Sequence, residues 1–573
     1  MAALDIRTLA FNATFALMLC SAMFLSCRIF VEAEIISKWY AFIGGSILLG
    51  FVSPILIRAT KIAIDPVTVS ICIFIAYLSA RIFFSQSTQP DIFTLSIAAF
   101  ILTYLFFKLT PDRHLHNSDI IIAGVCLAQA VYGLMQYTGI TYANRGFSIA
   151  GSFDNPAGFA ACISAGLPLC FSVMHKGKQL RYFGLITAGI IVLAVILSES
   201  RAGILSVIIV SAVYLGHQYY NSLKKYRNCI FPLLGIAFIT LAAGLFLIKK
   251  DSAFGRMLIW ENTCRMIADK QLFGFGPSGF MSEYMVYQAG YFTENPDSPY
   301  ALLADNVTHP FNEYLLLTAE YGFVGLLLLL VTTAVIIKLS KQATIPLLCL
   351  LSIGIFSCFS YPLRYPFVWI LIAYSLGMVS RKTIGSYYVK IRSNLPVRCG
   401  FIFITAVSAV LLIRDIKFES RWGSLANTIG LENSPGLLND YSALYAKWNG
   451  NPLFLYNYGA VLNHAGNYRK SNAVMEECEK FFNDYDVQMV IGDNYSNTEE
   501  WNKAESRYIV AGHMIPNRFI PLFKLMKIYQ STSNTRRLSI TADTILQKKI
   551  KIPSPTVDQI IKQAKSVRCN GCD

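Results

Sequence analysis

The chain has 573 residues, of which 54% are hydrophobic and 14% charged, with a formal net charge of +15. Soluble domains carry about 25% charged residues, so the composition excludes a disordered chain, a disulfide-stapled secreted scaffold and an ordinary cytosolic enzyme. It predicts a polytopic membrane protein, and no basic stretch carries aromatics at the spacing of a nucleic-acid module.

Apolar runs long enough for about thirteen spans occur near 9–27, 40–57, 66–84, 92–107, 119–138, 156–174, 182–198, 203–219, 229–248, 318–337, 343–360, 365–380 and 399–413. Most approach the 20 residues needed to cross about 30 Å of hydrocarbon. The first reads as a retained signal anchor. With the N-terminus in the cytoplasm, the inner segments hold eighteen Lys and Arg and the short outer loops five (Arg28, Lys38, Arg145, Arg201 and Arg364). Positive charge favours the inside, so an odd span count puts the C-terminus outside. The long loop 249–317 also lies outside.

The expected fold is an all-α transmembrane bundle of about 12–13 spans over 1–413, followed by a soluble extracytoplasmic domain over 414–573. That domain carries a helical repeat. Leu455, Gly459, Leu462, Gly466, Tyr468, Ser471 and Cys478 form one unit, and Gly492, Tyr495, Trp501, Ala504, Tyr508, Ala511 and Pro516 the next, offset by thirty-three residues. Small residues let two helices approach and aromatics fill between them. The pattern resembles tetratricopeptide repeats, with a degraded third unit around Leu522, Leu525 and Tyr529. Such pairs stack into a docking surface for a protein partner, or act as a spacer. Most cysteines lie in apolar runs and behave as small hydrophobes. Cys569 and Cys572 read as a tail disulfide or as no functional pair.

Four polar constellations mark the outer face. They are Gly151-Ser-Phe-Asp-Asn155-Pro, Ser198-Glu-Ser-Arg201-Ala-Gly203, the run from Gly255-Arg256 through Trp260 to Gly274-Phe-Gly276, and His309-Pro-Phe-Asn312-Glu313 leading to Glu320-Tyr-Gly322-Phe-Val-Gly325. In this order, over about 140–380, they resemble the O-antigen ligase family. That family moves a glycan from a polyprenyl diphosphate to an acceptor hydroxyl, and includes lipopolysaccharide ligases, protein O-oligosaccharyltransferases and polymerase relatives. The usual pattern has His immediately before the Asn; here Phe311 holds that place and His309 lies two residues earlier.

The resemblance implies a multi-pass enzyme of the bacterial inner membrane whose partners are a polyprenyl-diphosphate-linked glycan, a lipid or protein acceptor and membrane lipid. It implies Arg201 and Arg256 as contacts for the leaving diphosphate, since guanidinium is a permanent, two-pronged cation. Interfacial anchoring is the rival reading for Arg201. His309 is the expected base, its ordinary pKa suiting the task, with Glu313 and Glu320 as runners-up. Arg145, Asn155, Trp260, Asn312, Glu313 and Glu320 are candidate substrate contacts, although Asn155 and Asn312 also suit helix caps. No Asp-x-Asp or Asp-x-Glu occurs in an outer loop beside these constellations, and no phosphate loop occurs, so the expectation is neither metal nor other cofactor. A polymerase shares all these residues; a lipid-linked glycan transporter and an envelope scaffold are the remaining alternatives.

Overall fold

The computed structural model describes residues 6–56, 61–84, 91–142, 146–219, 250–340, 343–382, 389–392, 395–428 and 435–570. Twelve of the thirteen predicted spans coincide with a helix; the one near 229–248 lies outside the described residues. The helices are α1 (Ile6–Phe24), α2 (Ala33–Leu56), α3 (Pro66–Phe84), α4 (Asp91–Leu109), α5 (Ser118–Tyr137), α6 (Pro156–Val173), α7 (Lys178–Leu197), α8 (Arg201–Gln218), α9 (Lys250–Asp269), α10 (Gly279–Glu294), α11 (Glu313–Leu339), α12 (Thr344–Ser357), α13 (Pro366–Lys382) and α14 (Leu395–Thr428). Nine helices among the described residues are long and apolar enough to cross a membrane, and this is a multi-pass membrane protein. The loop helices α9 and α10 were not among the predicted spans, and α14 continues past residue 413.

A two-stranded antiparallel ribbon joins β1 (Lys61–Ile64) to β2 (Val389–Arg392), with Lys61 opposite Arg392. It pairs two segments that the charge count puts on the same side. Close by in sequence, Lys108 forms a buried 2.6 Å ion pair with Asp65, to which Ser380 also donates. Arg381 reaches the carbonyl of Thr110 and the carboxylate of Asp112. The segments expected outside gather together in turn: Lys38 donates to the carbonyl of Ser152, Arg364 reaches Glu32, and Arg256 donates to the carbonyl of Phe359. Long-range contacts therefore sort the loops as the basic residues sort them.

Beyond α14 come α15 (Pro435–Tyr445), α16 (Pro452–His464), α17 (Tyr468–Glu479), α18 (Tyr485–Asn497), α19 (Trp501–Met514), α20 (Ile520–Ser531), α21 (Thr535–Gln547) and α22 (Pro555–Asn570). Gly459 lies against Met475 and Gly492 against Tyr508, where a Cβ would come within 2.8 and 2.6 Å. Small residues thus set the close approach of α16 to α17 and of α18 to α19. The third unit, expected to be degraded, is a complete pair of helices with Leu525 and Tyr529 buried. Cys569 is described and Cys572 is not, so the tail disulfide lies outside the described residues.

One face of the second and third pairs is covered by the large loop. Ile259, Met266, Phe280, Tyr284 and Met285 share a core with Tyr485, Met489, Tyr508, Met514 and Leu525. Polar contacts fix the register of this packing. Gln288 donates to the carbonyl of Met514 (2.7 Å), Asn517 to those of Ala301 and Ala304, and the amide of Asn483 to that of Met281.

Candidate active site

Each constellation is held by its own backbone chemistry. Asn155 caps α6, accepting from the amide of Gly158 at 3.0 Å, and Pro156 supplies the first helical residue with φ already fixed. The Asn155 amide nitrogen lies within 3.1 Å of the hydroxyls of Tyr361 and Tyr365, and Tyr365 donates to Asp154. Ser200 caps α8 through Gly203, so Arg201 leads its helix, and its guanidinium donates to Ser252 at 2.8 Å. Asn312 caps α11, accepting from the amides of Tyr314 and Leu315.

The large loop is bolted to α11 by backbone pairing. Gly322 (φ 68°, ψ −175°) breaks the helix. The amides of Phe275 and Gly276 then donate to the carbonyls of Ala319 and Glu320, and those of Phe323 and Val324 to the carbonyls of Gln271 and Leu272. The Glu320 side chain faces the backbone amides of Ser278 and Phe280 at the start of α10, where Ser278 makes no side-chain cap. Glu313 accepts from the amide of Leu363 at 3.0 Å. Each of these two side chains, runners-up as base, thus has a backbone amide beside it. Trp260 donates its indole N–H to the carbonyl of Pro310 (2.8 Å) and so holds the His309 turn. Phe311 sits in that turn at φ 54°, a strained value for a residue with a Cβ.

Arg201, Arg256 and His309 come to one corner of the outer-loop cluster. Arg256 donates to the Phe359 carbonyl at 2.9 Å and lies 5.2 Å over the Phe311 ring. Burial, and then the like charge of Arg201, lower its pKa, although a guanidinium keeps its proton at physiological pH. Two neighbouring cations, one of them partly buried, make a site suited to an anion.

His309 differs from its expectation. Its Nε2 lies 3.3 Å from Nη1 of Arg364, and its ring packs against Tyr361. Burial, and then the Arg364 charge, push its pKa down to about 3. Arg364 can only donate, so Nε2 is the acceptor and Nδ1 carries the hydrogen. Burial and the Arg364 charge thus hold His309 below the ordinary value expected from sequence, and in this arrangement the lone pair that would take a proton is occupied. Arg145 lies outside the described residues.

Arg364, Tyr361 and Tyr365 also meet at this corner and were not among the sequence candidates. Their signal was present: a proline-bounded Tyr361-Pro-Leu-Arg364-Tyr365-Pro segment between two spans, with an Arg in a short outer loop as at Arg201.

Residues 186–330 match the family described as O-antigen ligase. The matched segment carries Arg201, Arg256, Trp260, His309, Asn312, Glu313 and Glu320, and leaves the Gly151–Asn155 turn and the Arg364 segment outside it. The activity it implies is that of a glycosyltransferase of the O-antigen ligase and polymerase type. No curated protein matches the chain.

Proposed function

We propose that the protein transfers a glycan from a polyprenyl diphosphate carrier to an acceptor hydroxyl at the outer face of a bacterial inner membrane. On this reading the repeat domain lies on the extracytoplasmic side with the large loop. The observation that supports it best is the meeting of Arg201 and Arg256 beside His309, on loops that charge asymmetry assigns to the outside. The anomeric carbon leaves the phosphate oxygen as the acceptor oxygen bonds to it. The diphosphate departs with the electron pair, and its growing charge falls beside guanidinium groups that need no rearrangement to meet it. The energy is already stored in the phosphate ester, so no nucleotide is consumed.

A lipid or protein acceptor distinguishes a ligase from a polymerase, and the repeat domain favours a ligase with a bulky acceptor. The test is the transfer rate and carrier-lipid binding of Arg201→Lys and Arg256→Lys in membranes. Lys keeps the charge but not the two-point contact. Loss of a hydrogen bond to a charged group costs about 1.5–3 kcal/mol, or roughly ten- to a hundredfold in rate. Near-normal transfer by both variants would reduce these side chains to interfacial anchors. Glycan profiles after deletion then separate the two activities: full-length polymer stranded on the carrier marks a ligase, and single repeat units on the final acceptor mark a polymerase.

A further inference from the structure

Arg364 stands on the one-turn helix Pro362–Arg364 between α12 and α13. Its backbone is fixed at both ends: its amide donates to Tyr361, and its carbonyl accepts the indole N–H of Trp39 at 3.2 Å. Its side chain is held more loosely. The contacts to His309 Nε2 and to Glu32 Oε1 are 3.3 and 3.5 Å, both longer than the 2.7–2.9 Å of a tight charge-assisted bond. Tyr361 feels the charges of both Arg256 and Arg364, and Phe359, which anchors Arg256, lies five residues before Arg364. The same short segment thus carries one arginine and holds another.

We propose that Arg364 is a third diphosphate-binding residue and the catch on His309: the arriving anion draws its guanidinium off Nε2 and frees that nitrogen for the acceptor hydroxyl. The proposal rests on the glycan-transfer reading above. A diphosphate offers several charged oxygens at short range, against one neutral nitrogen and one carboxylate at 3.5 Å. Once Arg364 has moved, Nε2 accepts the acceptor's O–H proton, the oxygen bonds to the anomeric carbon, and the diphosphate leaves with the electrons of the broken C–O bond. The imidazolium left behind is neutralised by the diphosphate beside it. Without a donor Nε2 stays covered, which restrains activation of water or acceptor at an empty site.

The groups around His309 are Arg364 and Tyr361 from the Pro362 turn, Arg256 across Phe311 with Arg201 beyond it, Glu32 behind Arg364, Asp154 and Tyr365 behind Tyr361, and Glu313 against Leu363. Among these, Arg364 is the charge in contact with the ring. Removing it relieves a like-charge effect of the kind that shifts a pKa by roughly one to three units.

The experiment measures binding of glycan-free polyprenyl diphosphate and the pH dependence of transfer, using full-length protein in nanodiscs. Arg364→Gln should weaken diphosphate binding about tenfold or more. It should also move the acid limb of kcat/KM upward by roughly one to three pH units. The acid limb of kcat should move little, because in the wild-type complex Arg364 has already left the ring. His309→Ala should bind diphosphate normally. Glu32→Gln, which removes the competing carboxylate, should tighten diphosphate binding by about two- to fivefold and serves as the readout if Arg364→Gln does not fold. Wild-type diphosphate affinity in Arg364→Gln, an unmoved kcat/KM limb, or unchanged or weaker binding in Glu32→Gln would overturn the proposal. A wild-type protein that binds no polyprenyl diphosphate would instead sink the glycan-transfer reading itself.

Discussion

Replacing Gly322 by Ala should cripple the enzyme from inside a membrane helix. Gly322 sits at φ 68° and ψ −175°, a region that is essentially glycine-only and costs about 1–3 kcal/mol for any other residue. A Cβ there would also lie 2.1 Å from the carbonyl oxygen of Leu272 and 2.5 Å from the amide nitrogen of Phe273. These are backbone atoms, so no side-chain rotation relieves the clash, and overpacking adds about 1–3 kcal/mol. The bonds most exposed to this strain are the four that bolt residues 271–276 to residues 319–324. The same loop carries Arg256 and Trp260, and a displacement near 1 Å costs roughly a hundredfold in rate. The assay is glycan transfer in membranes beside thermal unfolding of the purified protein, with Gly290→Ala as control. Gly290 is in α10 and faces open space, so that change should be neutral or stabilise by about 0.5–1 kcal/mol. A Gly322→Ala protein with wild-type rate and midpoint would mean that the loop does not depend on this break in α11.

Gln288→Leu should loosen the repeat domain from the loop. It orphans the carbonyls of Met514 and Asp305 and the hydroxyl of Tyr284, at about 1–3 kcal/mol for each group that stays buried, and amide exchange should quicken in both Gly279–Glu294 and Trp501–Met514. Asp65→Asn should destabilise the opposite end of the bundle by about 3–5 kcal/mol, because Lys108 would lose its buried charged partner; a proteolytic half-life in detergent checks it, and an unchanged half-life would mean that the Thr68 hydroxyl, which also accepts from Lys108, suffices. The His309 pKa of about 3 lies below its unfolded value near 6.5, so the unfolded chain binds the extra proton between those limits. Stability should therefore fall as pH drops below 6.5, by roughly 2 kcal/mol at pH 5 from this group, and His309→Gln should lose that part of the acid sensitivity in unfolding measured across pH 5–7.

The membrane helices were legible because hydrocarbon demands a single feature, a long apolar run, and because caps such as Asn155-Pro156 and Asn312 lie at their ends. Short contacts between residues far apart in the chain were not. Arg364 and His309 are 55 positions apart, and Arg364 and Glu32 are 332 apart; no periodicity or spacing predicts that they meet. Glu320 shows the other kind of blindness. A carboxylate near a candidate site reads as chemistry from sequence, whereas it faces backbone amides at the start of α10. The repeat units were visible from Gly459 and Gly492, but not what covers them, since an apolar helical face has the same pattern whether its occupant is another chain or a loop of its own.

On the glycan-transfer reading, that occupant ties the repeat domain to the arginines. Alone, α9 and α10 are two helices of 20 and 16 residues, and short helices draw most of their stability from packing. They are held at the α11 break by backbone pairing, at the His309 turn by Trp260, and along α10 by the second and third repeats. Electrostatic catalysis requires the charges to be in place before the reaction begins. Arg256 approaches Arg201 against their mutual repulsion, and three separate anchorages on its loop are what such an arrangement needs. On this argument the repeats are part of the scaffold that sets the arginines, and a substitution in Trp501–Met514 reaches the active site through α10 without touching substrate.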